Sequence, residues 1–171
     1  APSVETILHA CLPYQFVDHT HADAVLAIAN APEGERRMRE IYGDTVVIVP
    51  YVMPGFDLAR ACAREHARQV CANTIGVLLM NHGVISFGDS ARQSYERMLE
   101  LVRRAEEYLK AQQAWDIAVS GIRPVRFEML QQAQLRRKLS AAAGAPMIMV
   151  TLADDDTLAF AQRPDLAQLL Q

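Results

Sequence analysis

The stretch Gly76-Val77-Leu78-Leu79-Met80-Asn81-His82-Gly83-Val84-Ile85-Ser86-Phe87 decides the fold class. Two apolar runs, Gly76 to Met80 and Val84 to Phe87, flank Asn81-His82-Gly83, whose residues favour tight turns, so the stretch reads as a hairpin of two strands. Upstream, Phe56 to Ala72 is rich in Ala and Arg and reads as helix. Before it, Thr45 to Tyr51 is a β-branched run bounded by Gly43-Asp44 and Pro54-Gly55, the pattern of a buried strand. Further back lie a charged helix from Glu35 to Ile41 and an Ala-rich helix from His21 to Ala29, separated by Pro32-Glu33-Gly34. Gln15 to Thr20 reads as a strand, and the chain opens with a short helix that Ser3 caps and Pro13 closes near Leu12.

Downstream, Ser90 and Gln93 form a capping-box pair ahead of the longest helix, Ala91 to about Trp115. Its apolar stripe is Tyr95, Met98, Leu99, Val102, Ala105, Leu109 and Trp115, opposite a solvated ladder of Arg92, Glu96, Arg103, Glu107 and Lys110. The texture changes at Ser120-Gly121. Pro124 starts a helix through Ala143, Gly144-Ala145-Pro146 stops it, Met147 to Leu152 reads as a strand, and Asp154-Asp155-Asp156 is a polar turn before a last helix broken by Pro164. Short apolar runs alternating with amphipathic stretches are the signature of an α/β fold.

Composition narrows the function classes. The 171 residues carry 17 Lys+Arg against 20 Asp+Glu, a formal charge of −3 with both signs interspersed and no basic patch, so nothing favours nucleic acid or an anionic membrane surface. The longest apolar stretch, Thr74 to Met80, falls well short of the roughly 18 residues a membrane span needs, and no signal-peptide pattern opens the chain. Cys11, Cys62 and Cys71 show no C-x-x-C spacing and read as reduced, mostly packed thiols of a soluble cytoplasmic protein.

The chemistry centres on Asp18-His19-Thr20-His21 at the end of a strand. Side chains at i and i+2 of a strand share a face, so two imidazoles there can converge on one divalent ion. His82, in the hairpin turn, is the candidate third ligand, although by spacing alone it is equally a plain turn residue. Glu5 offers a carboxylate, which read alone is ordinary favourable charge in a helix first turn. Other residues take plainer readings. Tyr51 is a core tyrosine with a hydrogen-bonded hydroxyl, His66 is solvated, His9 pairs with Glu5 one helical turn away, and Met80, Met147 and Met149 are strand core.

Three motifs in order, Pro2-Ser3-Val4-Glu5-Thr6, Asp18-His19-Thr20-His21 and Asn81-His82-Gly83, resemble the class II aldolase/adducin family. Phe16 to Val25 and Ser94 to Val102 are similar in texture to the aldolase half of bifunctional rhamnulose-phosphate aldolase/short-chain dehydrogenase proteins. The resemblance implies a mixed β-sheet sandwiched between helical layers, a homotetramer, and a zinc ion held by His19, His21 and His82. It also implies Glu5 as the catalytic acid/base in retro-aldol cleavage of a phosphorylated ketose such as rhamnulose 1-phosphate. An adducin-like assembly module without catalysis, or an epimerase or dehydratase on the same metal site, are the alternatives.

The resemblance covers residues 1–110 well and the remainder loosely. The expected organisation is therefore an aldolase-like domain over 1–115, with its N-terminal part missing, and an extension over 116–171 leading toward a dehydrogenase domain. The interval from Glu5 to His19 is shorter than in the simple fuculose-phosphate type and suits the bifunctional subfamily. No glycine loop that could cradle a phosphate occurs, so the chain is expected to hold a metal yet turn over a sugar phosphate poorly by itself.

Overall fold

The computed structural model describes residues 3, 5–116 and 128–166. By its internal contacts the chain divides into two compact units, Ala1–Asp116 and Ile117–Gln171.

In the first unit the hairpin forms as read, with β3 (Gly76–Leu79) antiparallel to β4 (Gly83–Gly88). The free side of β4 takes β1 (Phe16–Thr20), also antiparallel, and the free side of β3 takes β2 (Val46–Val49) in parallel, so the order is β1-β4-β3-β2. A parallel neighbour requires a crossover, which α4 (Phe56–Gln69) supplies. Alternate side chains then face opposite layers. Val46, Ile48, Leu78 and Val84 pack with Ile28 of α2 (Asp23–Ala29), Met38 and Tyr42 of α3 (Gly34–Tyr42), and Met98 and Leu101 of α5 (Ala91–Ala111). Val47, Val49, Val77, Leu79, Ile85 and Phe87 pack with Leu8 of α1 (Thr6–Ala10) and with Leu58 and Cys62 of α4. The result is a mixed sheet between two helical layers, and covering both faces explains why β2 and β3 read as unbroken apolar runs.

Two polar features finish this unit. The Tyr42 hydroxyl donates to Leu101 O at 2.7 Å, tying α3 to α5, and the Ser86 hydroxyl donates to Ser94 O at 2.8 Å, tying β4 to α5. On the edge strand β2, the Gln69 side chain accepts from Ile48 N at 3.2 Å and donates to Ile48 O at 3.0 Å. That amide occupies the place a further strand would take.

Several local expectations change. Gln93 is only half of a capping box. Ser90 Oγ accepts from Gln93 N, but the Gln93 side chain accepts from Asp89 N at 2.7 Å rather than from the cap residue. The buried face of α5 is Ser94, Met98, Leu101 and Ala105, while Tyr95 and Leu99 are exposed. Small Ser94 and Ala105 share this buried face with the larger Met98 and Leu101. The α2 helix begins at Asp23, leaving His21 outside it.

The second unit contains α6 (Met129–Ala143) and α7 (Asp155–Ala161). Gly144, at φ +66°, ends α6 in the left-handed conformation suited to glycine. The expected start at Pro124 lies outside the described residues, and Glu128 is already non-helical. Residues 147–152 form no strand, because among the described residues of this unit there is no second strand to accept their ladder bonds. Met147 is accordingly exposed and Met149 half-buried, and neither is strand core.

Candidate metal centre

The register of β1 on β4 sets His19 opposite Ile85 and Thr20 opposite Val84. The turn that feeds β4 therefore ends beside the last residues of β1. His82 closes that turn, its N–H donating to Leu79 O at 3.1 Å. Asn81 before it has φ +59°, the sign a type II turn needs at its third residue and one that Asn tolerates. Glu5 comes from the opposite helical layer, as the N-cap residue of α1, with its own N–H on Ser3 Oγ at 3.2 Å.

The four side chains meet. His19 Nε2 and His21 Nε2 are 3.0 Å apart, and Glu5 Oε1 lies 3.5, 3.5 and 3.3 Å from the Nε2 atoms of His19, His21 and His82. One ligand atom from each residue falls within 4.8 Å of all the others. Donors held about 2.1 Å from a tetrahedral ion stand roughly 3.4 Å from one another, close to the spacings here.

Protonation agrees with ligation. His19 Nδ1 approaches Val84 O at 3.0 Å, and a carbonyl can only accept, so the proton is on Nδ1 and the Nε2 lone pair faces the cluster. Burial pushes the His19 pKa down against the raising pull of that carbonyl and of Glu5, which keeps the ring neutral. For Glu5, burial raises the pKa, but the hydrogen bond with His82 and the neighbouring His19, His21 and His82 rings outweigh it and hold the carboxyl below its ordinary range. A carboxylate oxygen and three imidazole nitrogens converging on one point form a donor set that suits a divalent transition ion.

Sequence reasoning missed Gly83. A Cβ there would stand 2.5 Å from Thr20 O, 3.0 Å from His21 Cδ2 and 3.1 Å from His19 Cε1, so the two imidazoles occupy the space a side chain would fill. The signal is the glycine following the turn histidine, which the turn alone also explains. Three plainer readings also change. His66 is 6% exposed, with Nε2 on the Tyr14 hydroxyl at 2.9 Å, rather than solvated. Tyr51 is exposed, its hydroxyl near Met53 Sδ, rather than core. The His9 ring stands edge-on to His19 at 6.3 Å, while the Glu5 carboxylate turns to His19, His21 and His82.

Comparison with known proteins bears on this geometry. Residues 1–109 match the family described as Class II Aldolase and Adducin N-terminal domain. The chain belongs to that family. A class II aldolase domain is also the nature of one similar solved structure, the N-terminal Class II Aldolase domain of a conserved protein from Thermoplasma acidophilum. It is 42% identical, with a TM-score of 0.55, over 63% of this chain and 48% of that one. The sugar-phosphate aldolase from Thermotoga maritima shares the fold at 20% identity and a TM-score of 0.52, over 68% of this chain and 57% of that one. Among curated proteins, "Uncharacterized oxidoreductase YuxG" of Bacillus subtilis (strain 168) is 41% identical over 108 residues, 63% of this chain and 15% of that protein. The class II aldolase family member described here therefore spans less than two thirds of the length of each of these relatives.

Proposed function

We propose that the chain is the metal-binding part of a class II aldolase that cleaves a phosphorylated ketose by retro-aldol chemistry, in a longer protein that also carries a dehydrogenase. The convergence of Glu5, His19, His21 and His82 carries the reading, and membership of the family supports it. An assembly module has no need of four ligand atoms at one point. The similarity to a protein named as an oxidoreductase, of which this chain matches a small share, supports the linked dehydrogenase and the division into an aldolase domain over 1–115 and a connecting extension over 116–171.

In this proposal His19, His21 and His82 hold a divalent ion, zinc by the preference of imidazole ligands. When bound, such an ion supplies Lewis acidity to the oxygen on which negative charge develops as the carbon–carbon bond breaks. Glu5, ionised at neutral pH, accepts the proton of the substrate hydroxyl whose carbon becomes the aldehyde, and returns a proton to the carbon left behind. The Val84 carbonyl fixes the His19 ring, and Gly83 leaves room for both imidazoles of the strand. Homo-oligomeric assembly and a cytoplasmic setting belong to the same proposal. No helix among the described residues is long and apolar enough to cross a membrane.

The test has two parts. Elemental analysis of the chain should find one transition metal, lost in His19→Ala and in His82→Ala. The intact longer protein should release a triose phosphate and an aldehyde from rhamnulose 1-phosphate, with kcat reduced in Glu5→Gln while the metal stays bound. Metal stoichiometry unchanged in both histidine variants would refute the ligand set.

A further inference from the structure

The three histidines are not held alike. The His19 ring is pinned by its Nδ1 donating to Val84 O. His82 is 9% exposed, and its buried Nδ1 has no hydrogen-bond partner among the described residues. Its placement therefore depends on the backbone turn that carries it rather than on a second contact of the ring. Besides the contact of His82 Nε2 with Glu5 Oε1 at 3.3 Å, that turn has one side-chain tether among the described residues. Asn81 Nδ2 donates to Asn30 Oδ1 at 2.8 Å. Asn30 is the C-cap of α2, and its N–H closes that helix on Leu26 O. Because α2 starts two residues after His21, the tether closes a ring: His21, α2, Asn30, Asn81, His82.

Resting on the metal reading of the cluster, we propose that the Asn30–Asn81 amide pair is a positioning clamp that holds His82 in register with His19 and His21 for metal binding. The chemistry suits the task. The amide of Asn81 donates and that of Asn30 accepts, and this one hydrogen bond joins the two segments that supply the histidines. Asn81 has a second role in the same place, since its left-handed φ directs the chain into His82. Both side chains are exposed at the surface, so the clamp acts on the turn and leaves the hydrophobic cores untouched.

The experiment is a cobalt(II) titration of the 171-residue chain, read by the visible ligand-field bands, with zinc competition giving the zinc dissociation constant. Three variants are compared with the parent. Asn81→Gly removes the amide and keeps the freedom for positive φ, Asn30→Ala removes the other partner, and the third combines both. Each single variant is expected to weaken metal binding by roughly three- to tenfold, toward the low end of outer-shell effects. The double variant should match the singles rather than multiply them, the mark of one shared interaction. The metal-free melting midpoint should stay within about 2 °C of the parent, as for surface substitutions away from the core. Single variants within twofold of the parent, effects that multiply, or a loss of metal affinity matched by a loss of metal-free stability would each overturn the clamp. A parent chain that binds cobalt tightly beside unchanged variants refutes the clamp alone. A parent chain that binds none refutes the metal reading and the clamp with it.

Discussion

Leu101 in α5 is 0% exposed and Leu135 in α6 is 52% exposed, although both lie in long helices with apolar residues at helical spacing. The same contrast holds for extended segments. Val46 to Val49 is buried throughout as β2, while Ile148, Val150 and Leu152 stand open to solvent in a segment without a ladder. The first unit has two cores on either face of a sheet, and α6 and α7 bury no residue at all. An apolar pattern becomes a buried core only where a complementary surface exists to receive it. The paired leucines test this most strongly. Leu101→Ala should cost about 2–5 kcal/mol, from lost transfer energy and the cavity left behind. Leu135→Ala should stay within roughly 0.5 kcal/mol. Urea denaturation with a probe in the first unit measures the former, and helical circular dichroism the latter. A cost above 1.5 kcal/mol at Leu135 would show that α6 is covered by a surface the described residues do not provide.

Glycines sharpen the contrast at a smaller scale. Gly83→Ala places a methyl 2.5 Å from a main-chain oxygen and against two imidazoles. It should cost about 1–3 kcal/mol as overpacking and weaken metal binding roughly 10- to 100-fold. Gly144→Ala meets nothing within 4 Å and pays only for its left-handed φ, about 1–2 kcal/mol, with metal binding unchanged. Calorimetric metal titration of both variants separates the two effects. Equal metal affinity in Gly83→Ala and the parent would remove Gly83 from the site.

What was legible in the sequence follows from range. The hairpin, the Phe16–Thr20 strand and the helix starting at Ala91 rest on local periodicity and caps, and the structure places them within a few residues of their expected bounds. The residues Glu5, His19, His21 and His82 were legible as a set through ordered motifs, and they come together. The misses that bear on the site and its surroundings depend on a partner distant in sequence. His66 is buried by Tyr14, 52 residues away, and the Gly83 requirement comes from Thr20 and the two histidines. The Asn30–Asn81 bond spans 51 residues. Met147 to Leu152 fails for the converse reason, since a strand-like composition carries no information about whether a neighbouring strand is there.

Acid sensitivity should also divide along the chain, because all five histidines, at positions 9, 19, 21, 66 and 82, belong to the first unit. Burial lowers the His66 pKa in the folded state. Unfolding returns the ring to an ordinary value near 6.5. Above that pH His66 is neutral in both states and contributes no slope. Below it the unfolded chain takes up the proton first, so stability falls as pH drops, by at most about 1.4 kcal/mol per pH unit for one such group, until the folded ring protonates too. His66→Gln should flatten this slope between pH 6.5 and 5 in chelator-treated protein, measured as the urea midpoint against pH. Identical slopes in parent and variant would mean that burial of this ring does not govern its protonation.

The smallest effect probes the difference between β2 and the open segment after α6 most directly, because both are apolar in sequence and one has a plug. Gln69 satisfies both outward main-chain groups of Ile48, and Glu65 accepts from the same amide at 2.9 Å, which holds it in place. Glu65 is itself steadied by Arg68, whose guanidinium hydrogen bond is the leading cause holding that carboxyl below its ordinary pKa. Gln69→Ala removes two hydrogen bonds, but water can replace them at an edge, so the stability cost should be about 1 kcal/mol. The larger consequence is exposure of a flat, fully apolar strand with free N–H and C=O groups, the condition for strand addition between molecules. Gln69→Ala should therefore sediment as larger species with rising concentration while the parent does not change, and Gln69→Glu, which keeps an acceptor but loses the donor, should fall between them. Parent-like sedimentation of Gln69→Ala would show that Pro50, which ends β2 without an N–H, or the strand's brevity already protects the edge. In that case the amide contributes only its two hydrogen bonds, and the contrast between a guarded strand and an unguarded one would reduce to the presence or absence of a neighbouring strand.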